Sequence, residues 1–115
     1  MKYLLLIYGT ERNPTDDERE HCYKEATQLA DELKAKGQFL ASSPLQSVTT
    51  ATSVRVRDGK RFVTDGPFAE TREQLGGYFL IDVNDLDEAI NIAGRIPTSH
   101  WGTVEVRPTI DIPGL

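Results

Sequence analysis

The run Lys2 to Tyr8 constrains this chain more than any other stretch. Read as a strand, it turns Tyr3, Leu5 and Ile7 to one side and Leu4, Leu6 and Tyr8 to the other. Both sides are apolar, so the strand belongs at the centre of a sheet, covered on both faces. Residues 3–8 are too few for a membrane span or a signal-peptide core, and no small-residue cleavage pattern follows them. The rest of the chain must supply the layers that cover this strand.

A loop from Gly9 to Pro14 leads to Thr15-Asp16-Asp17-Glu18, which has capping-box spacing with acids in the first helical turn. The spacing predicts a helix from about Asp16 to Lys36, stopped by Gly37. Its core stripe is Cys22, Ala26, Leu29 and Leu33, with Ala30 alongside. Cys22 is expected there as a buried small hydrophobe, and His21 as a solvated surface residue. Gln38 to Ala41 reads as a short strand ended by Ser42-Ser43-Pro44, since Pro44 is tolerated only at an edge or outside the ladder. Thr49 to Arg57 and Lys60 to Thr64 flank Asp58-Gly59, a two-residue hairpin signal of the strongest kind. That register sets Val54 against Val63, Arg55 against Phe62 and Arg57 against Lys60. So polar a hairpin is expected as an extension at the edge of the sheet.

Gly77 to Val83 is the next strand, with Phe79, Ile81 and Val83 on one face and Tyr78, Leu80 and Asp82 on the other. Asn84 or Asp85 caps a second helix, whose expected buried stripe is Leu86, Ala89, Ile90 and Ala93. Gly94 lies near its end and Pro97 beyond it. After a loop over 98–102, Thr103 to Arg107 forms the last strand, with Val104 and Val106 opposed to Thr103, Glu105 and Arg107. Pro108 and Pro113 mark an irregular tail.

Strand, helix, strand, hairpin insertion, strand, helix, strand is an α+β order. With right-handed crossovers, both helices land on the same face of one antiparallel sheet, the ferredoxin-like βαββαβ arrangement with a β-hairpin insertion. The 115 residues hold no internal repeat, low-complexity tract or linker, so residues 1–115 form a single domain. Two helices on one side leave the other sheet face bare, and the central strand puts large side chains on it. An apolar patch of that kind is rare on a soluble monomer, so a symmetric homodimer packed face to face is expected. A net charge of −5 with acids and bases interspersed argues against a nucleic-acid surface. The single cysteine permits no internal disulfide and fits a reducing compartment. A cytoplasmic protein with no membrane segment is the expectation.

Local chemistry is densest between Val63 and Tyr78. A strand ends near Thr64, then Asp65 precedes Gly66-Pro67, which opens a turn or a short helix through Ala69 to Gln74. Phe68 is expected to fasten this connection to the core. Asp in such a turn ordinarily bonds nearby backbone N–H groups. Asp65-Gly66-Pro67-Phe68, with Glu70-Thr71 and Gln74-Leu75-Gly76-Gly77-Tyr78, resembles the signature of the DGPF subfamily of YCII-related proteins. The opening run Met1 to Tyr8, the block Val54 to Lys60, Asp85 to Ala89 and Val104 to Pro108 resemble further blocks of that family. The resemblance implies a dimeric α+β barrel and gives weight to Asp65, but implies no settled reaction. It also implies a regulatory partner linked to an alternative sigma factor.

No Cys/His cluster has zinc spacing, and there is no P-loop or dinucleotide fingerprint, so neither metal nor cofactor is expected. The candidate catalytic residues are Asp65 and His100, at two strand ends, where a carboxylate can orient an imidazole for acid–base work. Glu105 and Arg107 share a strand face: either a surface ion pair of little worth, or a guanidinium that holds a carboxylate or phosphate of a small ligand. Tyr78, after Gly76-Gly77, is a candidate pocket wall; Trp101 is a wall or plain buried aromatic surface. Two readings follow. One is a small-molecule enzyme in which Asp65 and His100 act on an anionic or carbonyl-bearing ligand held by Arg107. The other is a non-catalytic ligand-binding or regulatory protein. A coupled Asp–His pair in a pocket favours the first; an open pocket without paired titratable groups, or an exposed apolar patch beyond the dimer interface, favours the second.

Overall fold

The computed structural model of the chain describes residues 1–11 and 15–115. The loop expected over 9–14 falls in part on residues 12–14, outside the described residues. The elements are β1 (Lys2–Gly9), α1 (Asp16–Ala35), β2 (Phe39–Pro44), β3 (Thr52–Arg57), β4 (Lys60–Asp65), β5 (Gln74–Asp82), α2 (Leu86–Ala93) and β6 (Thr103–Pro108). Short 3-10 turns stand at Val48–Thr50 and Pro97–His100.

Four strands form one sheet in the order β2-β5-β1-β6, each neighbour antiparallel. β1 is central, as its two apolar faces require. Its register sets Tyr3 against Ile81 and Leu5 against Phe79, and these four side chains are buried under the helices. Leu29 and Leu33 of α1, Ala89, Ile92 and Ala93 of α2, and Ile96 close the core over them. Both helices therefore cover one sheet face, and the α+β ferredoxin-like architecture is the observed one. On the other face Leu4, Leu6, Tyr8, Tyr78 and Leu80 are only half-buried.

Local signals account for the helix ends. The Thr15 hydroxyl accepts from the Glu18 N–H at 3.1 Å. Past Ala35 the Gln38 N–H donates to the Leu33 carbonyl at 2.8 Å and the Gly37 N–H to Lys34 at 3.1 Å, a Schellman closure. Of the two cap candidates for α2 it is Asp85, which accepts from the Glu88 N–H at 2.9 Å. The stripe of α2 differs from the expected one. Leu86 and Ile90 are exposed and Ile92 is buried (50% of Ile90 against 6% of Ile92). Two stripes of helical spacing share Ala89 and Ala93, and the buried Ile96 just past the helix extends the one that contains Ile92.

The hairpin has the expected register, Val54 against Val63, Arg55 against Phe62 and Arg57 against Lys60. Asp58 and Gly59 have φ of 51° and 73°, the two positive values a primed two-residue turn requires. Its place differs: β3 and β4 form a separate two-stranded sheet and do not extend the edge of the main one. β2 runs through Ser42 and Ser43 to Pro44, on the sheet edge where a residue without an N–H is tolerated. The 3-10 turn at Val48–Thr50 then redirects the chain before β3 begins.

Between β4 and β5, where a turn or a short helix is expected, the chain runs through a series of bends. No helix forms there among the described residues. The Thr71 hydroxyl donates to the Glu73 carbonyl at 2.6 Å, and Gln74 Nε2 to those of Ala69 and Thr71 at 3.2 and 2.9 Å. Such local side-chain bonds offer the backbone an alternative to helix. Phe68 is no core plug: it is 78% exposed, with the Arg55 guanidinium 5.7 Å from its ring centroid.

Candidate functional site

The site begins with an irregularity in the sheet. Ile7 pairs with Gly77 but Tyr8 pairs with Leu75, so Gly76 is the extra residue of a bulge. Neither Gly76 nor Gly77 has a side chain to raise the sheet floor toward α1. Above them α1 presents the small residues Cys22, Ala26 and Ala30; the two alanines pack against the core, and all three line the gap that remains. A cleft of about 510 Å³ results, walled by Ile7, Phe39, Phe79 and Pro44 and roofed by α1, with Thr27, Lys34, Ser42 and Thr98 among its polar residues. A second lobe of about 430 Å³ shares Ile7, Cys22, Tyr23, Leu45, Gly76 and Thr98 with the first. Its lining is more polar, with Glu18, Arg19, Gln74, Ser47 and the Trp101 indole. Each volume lies in the range of small-molecule sites.

Close packing fixes the far wall of that second lobe. A Cβ at Gly102 would stand 2.3 Å from the Tyr8 carbonyl oxygen, and one at Gly9 would stand 2.5 Å from the Trp101 ring. The two glycines let the start of β6 and the Trp101 ring close onto the end of β1. Across the lobe, Glu11 accepts from the Ser47 hydroxyl at 2.8 Å and from the Val48 N–H at 2.7 Å. That carboxylate ties the root of the β3–β4 hairpin to the end of β1.

The residues singled out from sequence are dispersed. Asp65 is exposed at the end of β4, opposite Thr52 in the separate hairpin sheet. His100 is exposed at the end of the 3-10 turn before β6. Among the described residues no hydrogen bond or ion pair joins the two. Arg107 donates from Nε to Glu105 at 2.7 Å, an exposed pair along β6. Arg107 pairs with Leu4 and Glu105 with Leu6 in the ladder, so both point to the open sheet face, away from the cleft under α1. Tyr78 alone of the five borders the cleft. It stands opposite Leu6 and Ser43, so the pleat directs its ring to the open face and its main chain to the cleft.

Cys22 and Tyr23 are cleft residues that helical periodicity misassigned or passed over. Cys22, expected in the core, is half-buried in the wall shared by both lobes. The sequence signal was present in the small residues that open the α1 stripe: Cys22 and Ala26 leave room beside the sheet. His21 is on the surface as expected, 2.8 Å from Glu25. Among the described residues no three His, Cys, Asp or Glu side chains converge as metal ligands. No helix among them is long and apolar enough to cross a membrane.

Fold and cleft together describe a ferredoxin-like α+β domain with a ligand-sized cavity between its first helix and its sheet. The chain matches the model of the YCII-related domain over residues 1–113, and it belongs to that family. It is also 34% identical over 113 residues to an uncharacterized protein of Rhizobium meliloti (strain 1021), covering 94% of this chain and 91% of that one.

Proposed function

We propose that this chain is a cytoplasmic, homodimeric small-molecule-binding protein whose site is the cleft beneath α1. The two-lobed shape of that cleft carries the reading. An apolar lobe backed by Phe39 and Phe79 adjoins a lobe that mixes Arg19, Gln74 and Ser47 with the carboxylates Glu11 and Glu18, which suits a ligand with an apolar body and a polar end. The binding reading is favoured over the catalytic one because the described residues hold no Asp65–His100 contact and the Arg107 guanidinium faces the other side of the sheet. The Asp65-Gly66-Pro67-Phe68 run supports a place in the DGPF subfamily.

Titration with anilinonaphthalene sulfonate, a probe with an apolar body and an anionic end, tests this. Saturable fluorescence enhancement on the folded protein is expected. Gly76→Val places a side chain where a Cβ meets only the Ile7 carbonyl oxygen at 3.9 Å, so it fills open space rather than clashing. Ala26→Phe narrows the cleft from the opposite wall. Each variant is expected to remain folded, with a single cooperative melting transition, and to weaken the probe at least five-fold. Asp65→Asn and His100→Gln are expected to leave affinity within two-fold. Unchanged affinity in both cleft variants would exclude the cleft as the site.

A further inference from the structure

The β3–β4 hairpin is an arm without a core of its own. No residue of the buried core lies between Thr52 and Asp65, and every residue of β4 is exposed. On one face Val54, Val56 and Val63 are 60%, 59% and 58% exposed; on the other, Phe62 is 52% exposed on the side that carries Arg55. A lone two-stranded hairpin is marginal in water. This one is nevertheless held out from a fixed root. The Glu11 carboxylate grips Ser47 and Val48, the Gly66 N–H donates to the Ala51 carbonyl at 2.7 Å, and the Ser53 hydroxyl to that of Gly66 at 2.8 Å. The reach shows in the radius of gyration, 16.0 Å, against about 13 Å for a compact chain of this length.

Charge indicates what the arm meets. It carries Arg55, Arg57, Lys60 and Arg61 against Asp58 and Asp65, a net +2 in a chain whose total is −5, so the remaining residues carry −7. A surface that fits the arm is acidic and has apolar ground for valines and a phenylalanine. The body of this same chain is acidic and, away from its sheet face, exposes Leu86 and Ile90 of α2 beside Asp85, Asp87 and Glu88. Basic side chains along the two free edges also discourage indiscriminate strand pairing, so the arm is suited to a defined partner. We propose that the β3–β4 arm is an intersubunit clasp that docks on the acidic body of a second copy of this chain. The contact is additional to the sheet-face dimer proposed above and does not depend on it.

The test replaces residues 52–65 by a short Gly-Ser linker and compares dimer dissociation constants with the intact chain by analytical ultracentrifugation. Since the arm supplies no core residue, the deleted protein is expected to fold, with dimerisation weakened at least ten-fold. A second variant, Arg55→Gln with Arg57→Gln, Lys60→Gln and Arg61→Gln, keeps the hairpin and is expected to show most of the same loss. The loss in the intact chain is expected to grow between 50 and 500 mM salt, as screening weakens the pairing of arm and body. Dissociation constants within two-fold of the intact chain in both variants would overturn the proposal, as would an intact chain that is monomeric at high micromolar concentration. Leu6→Glu on the sheet face separates the two contacts: if it abolishes the dimer while the arm variants leave it unchanged, the sheet-face reading stands and the clasp fails. Probe binding in the cleft that survives arm removal keeps the ligand reading independent of both.

Discussion

A side chain on Gly102 would press against the Tyr8 carbonyl oxygen, a backbone atom with nowhere to go. Gly102→Ala is therefore expected to cost about 1–3 kcal/mol, as overpacking does, measured by urea unfolding. Gly59 is demanding for a different reason: its φ is 73° and that of Asp58 is 51°. Gly59→Val is expected to cost the hairpin about 1–2 kcal/mol, because a β-branched residue resists positive φ. The arm shares no core with the body, so the loss should appear as faster amide exchange at 52–65 and leave the global melting temperature unchanged. A fall in global stability of the same size would show that arm and body unfold together.

At the scale of the element, α2 shows how a stripe can be read in its period and missed in its phase. Ala89 and Ala93 belong to the expected stripe of α2, but Ile92 holds the buried place between them. Ile92→Ala is expected to cost about 2–4 kcal/mol through lost burial and a cavity. Ile90→Ala, half exposed, should cost less than about 1 kcal/mol. Chemical denaturation of the two variants side by side checks the assignment; equal losses would refute it. The stripe of α1 keeps its phase but not its depth. Leu29 and Leu33 are in the core and Ala26 packs against it as expected, yet Cys22, on the same stripe, is half-buried in the cleft wall. Periodicity marks which side of a helix faces the sheet. It does not say how far the helix stands from it.

At the scale of the whole molecule, the proposed homodimer rests on the open sheet face. Leu4, Leu6, Tyr8, Tyr78 and Leu80 share it with the Glu105–Arg107 pair. A charge at its centre should be incompatible with face-to-face packing. Light scattering is expected to show a dimer for the unaltered chain and a folded monomer for Leu6→Glu at the same concentration. A variant that stays dimeric would place the main interface elsewhere on the surface. Arg107→Ala is expected to change stability by no more than about 1 kcal/mol, since the pair is exposed.

What the sequence determined by itself was whatever depends on neighbours along the chain. The two-faced apolar run Lys2 to Tyr8 fixed a central strand, Asp58-Gly59 fixed the turn and register of the hairpin, and Thr15 and Gly37 bounded α1. From that order, the handedness of crossovers led to the ferredoxin-like sheet. Tertiary structure decided what depends on distances between elements. Whether β3–β4 joins the main sheet, whether Phe68 reaches a core, which isoleucine of α2 is buried and how wide the gap beneath Cys22 stands are all set by packing across the fold. In the sequence, Asp65, His100, Glu105 and Arg107 stand out by chemistry and strand position alone. Strand position says at which end or on which face a residue sits, but only the assembled sheet shows that the cleft lies on the helix side while Glu105 and Arg107 lie on the other.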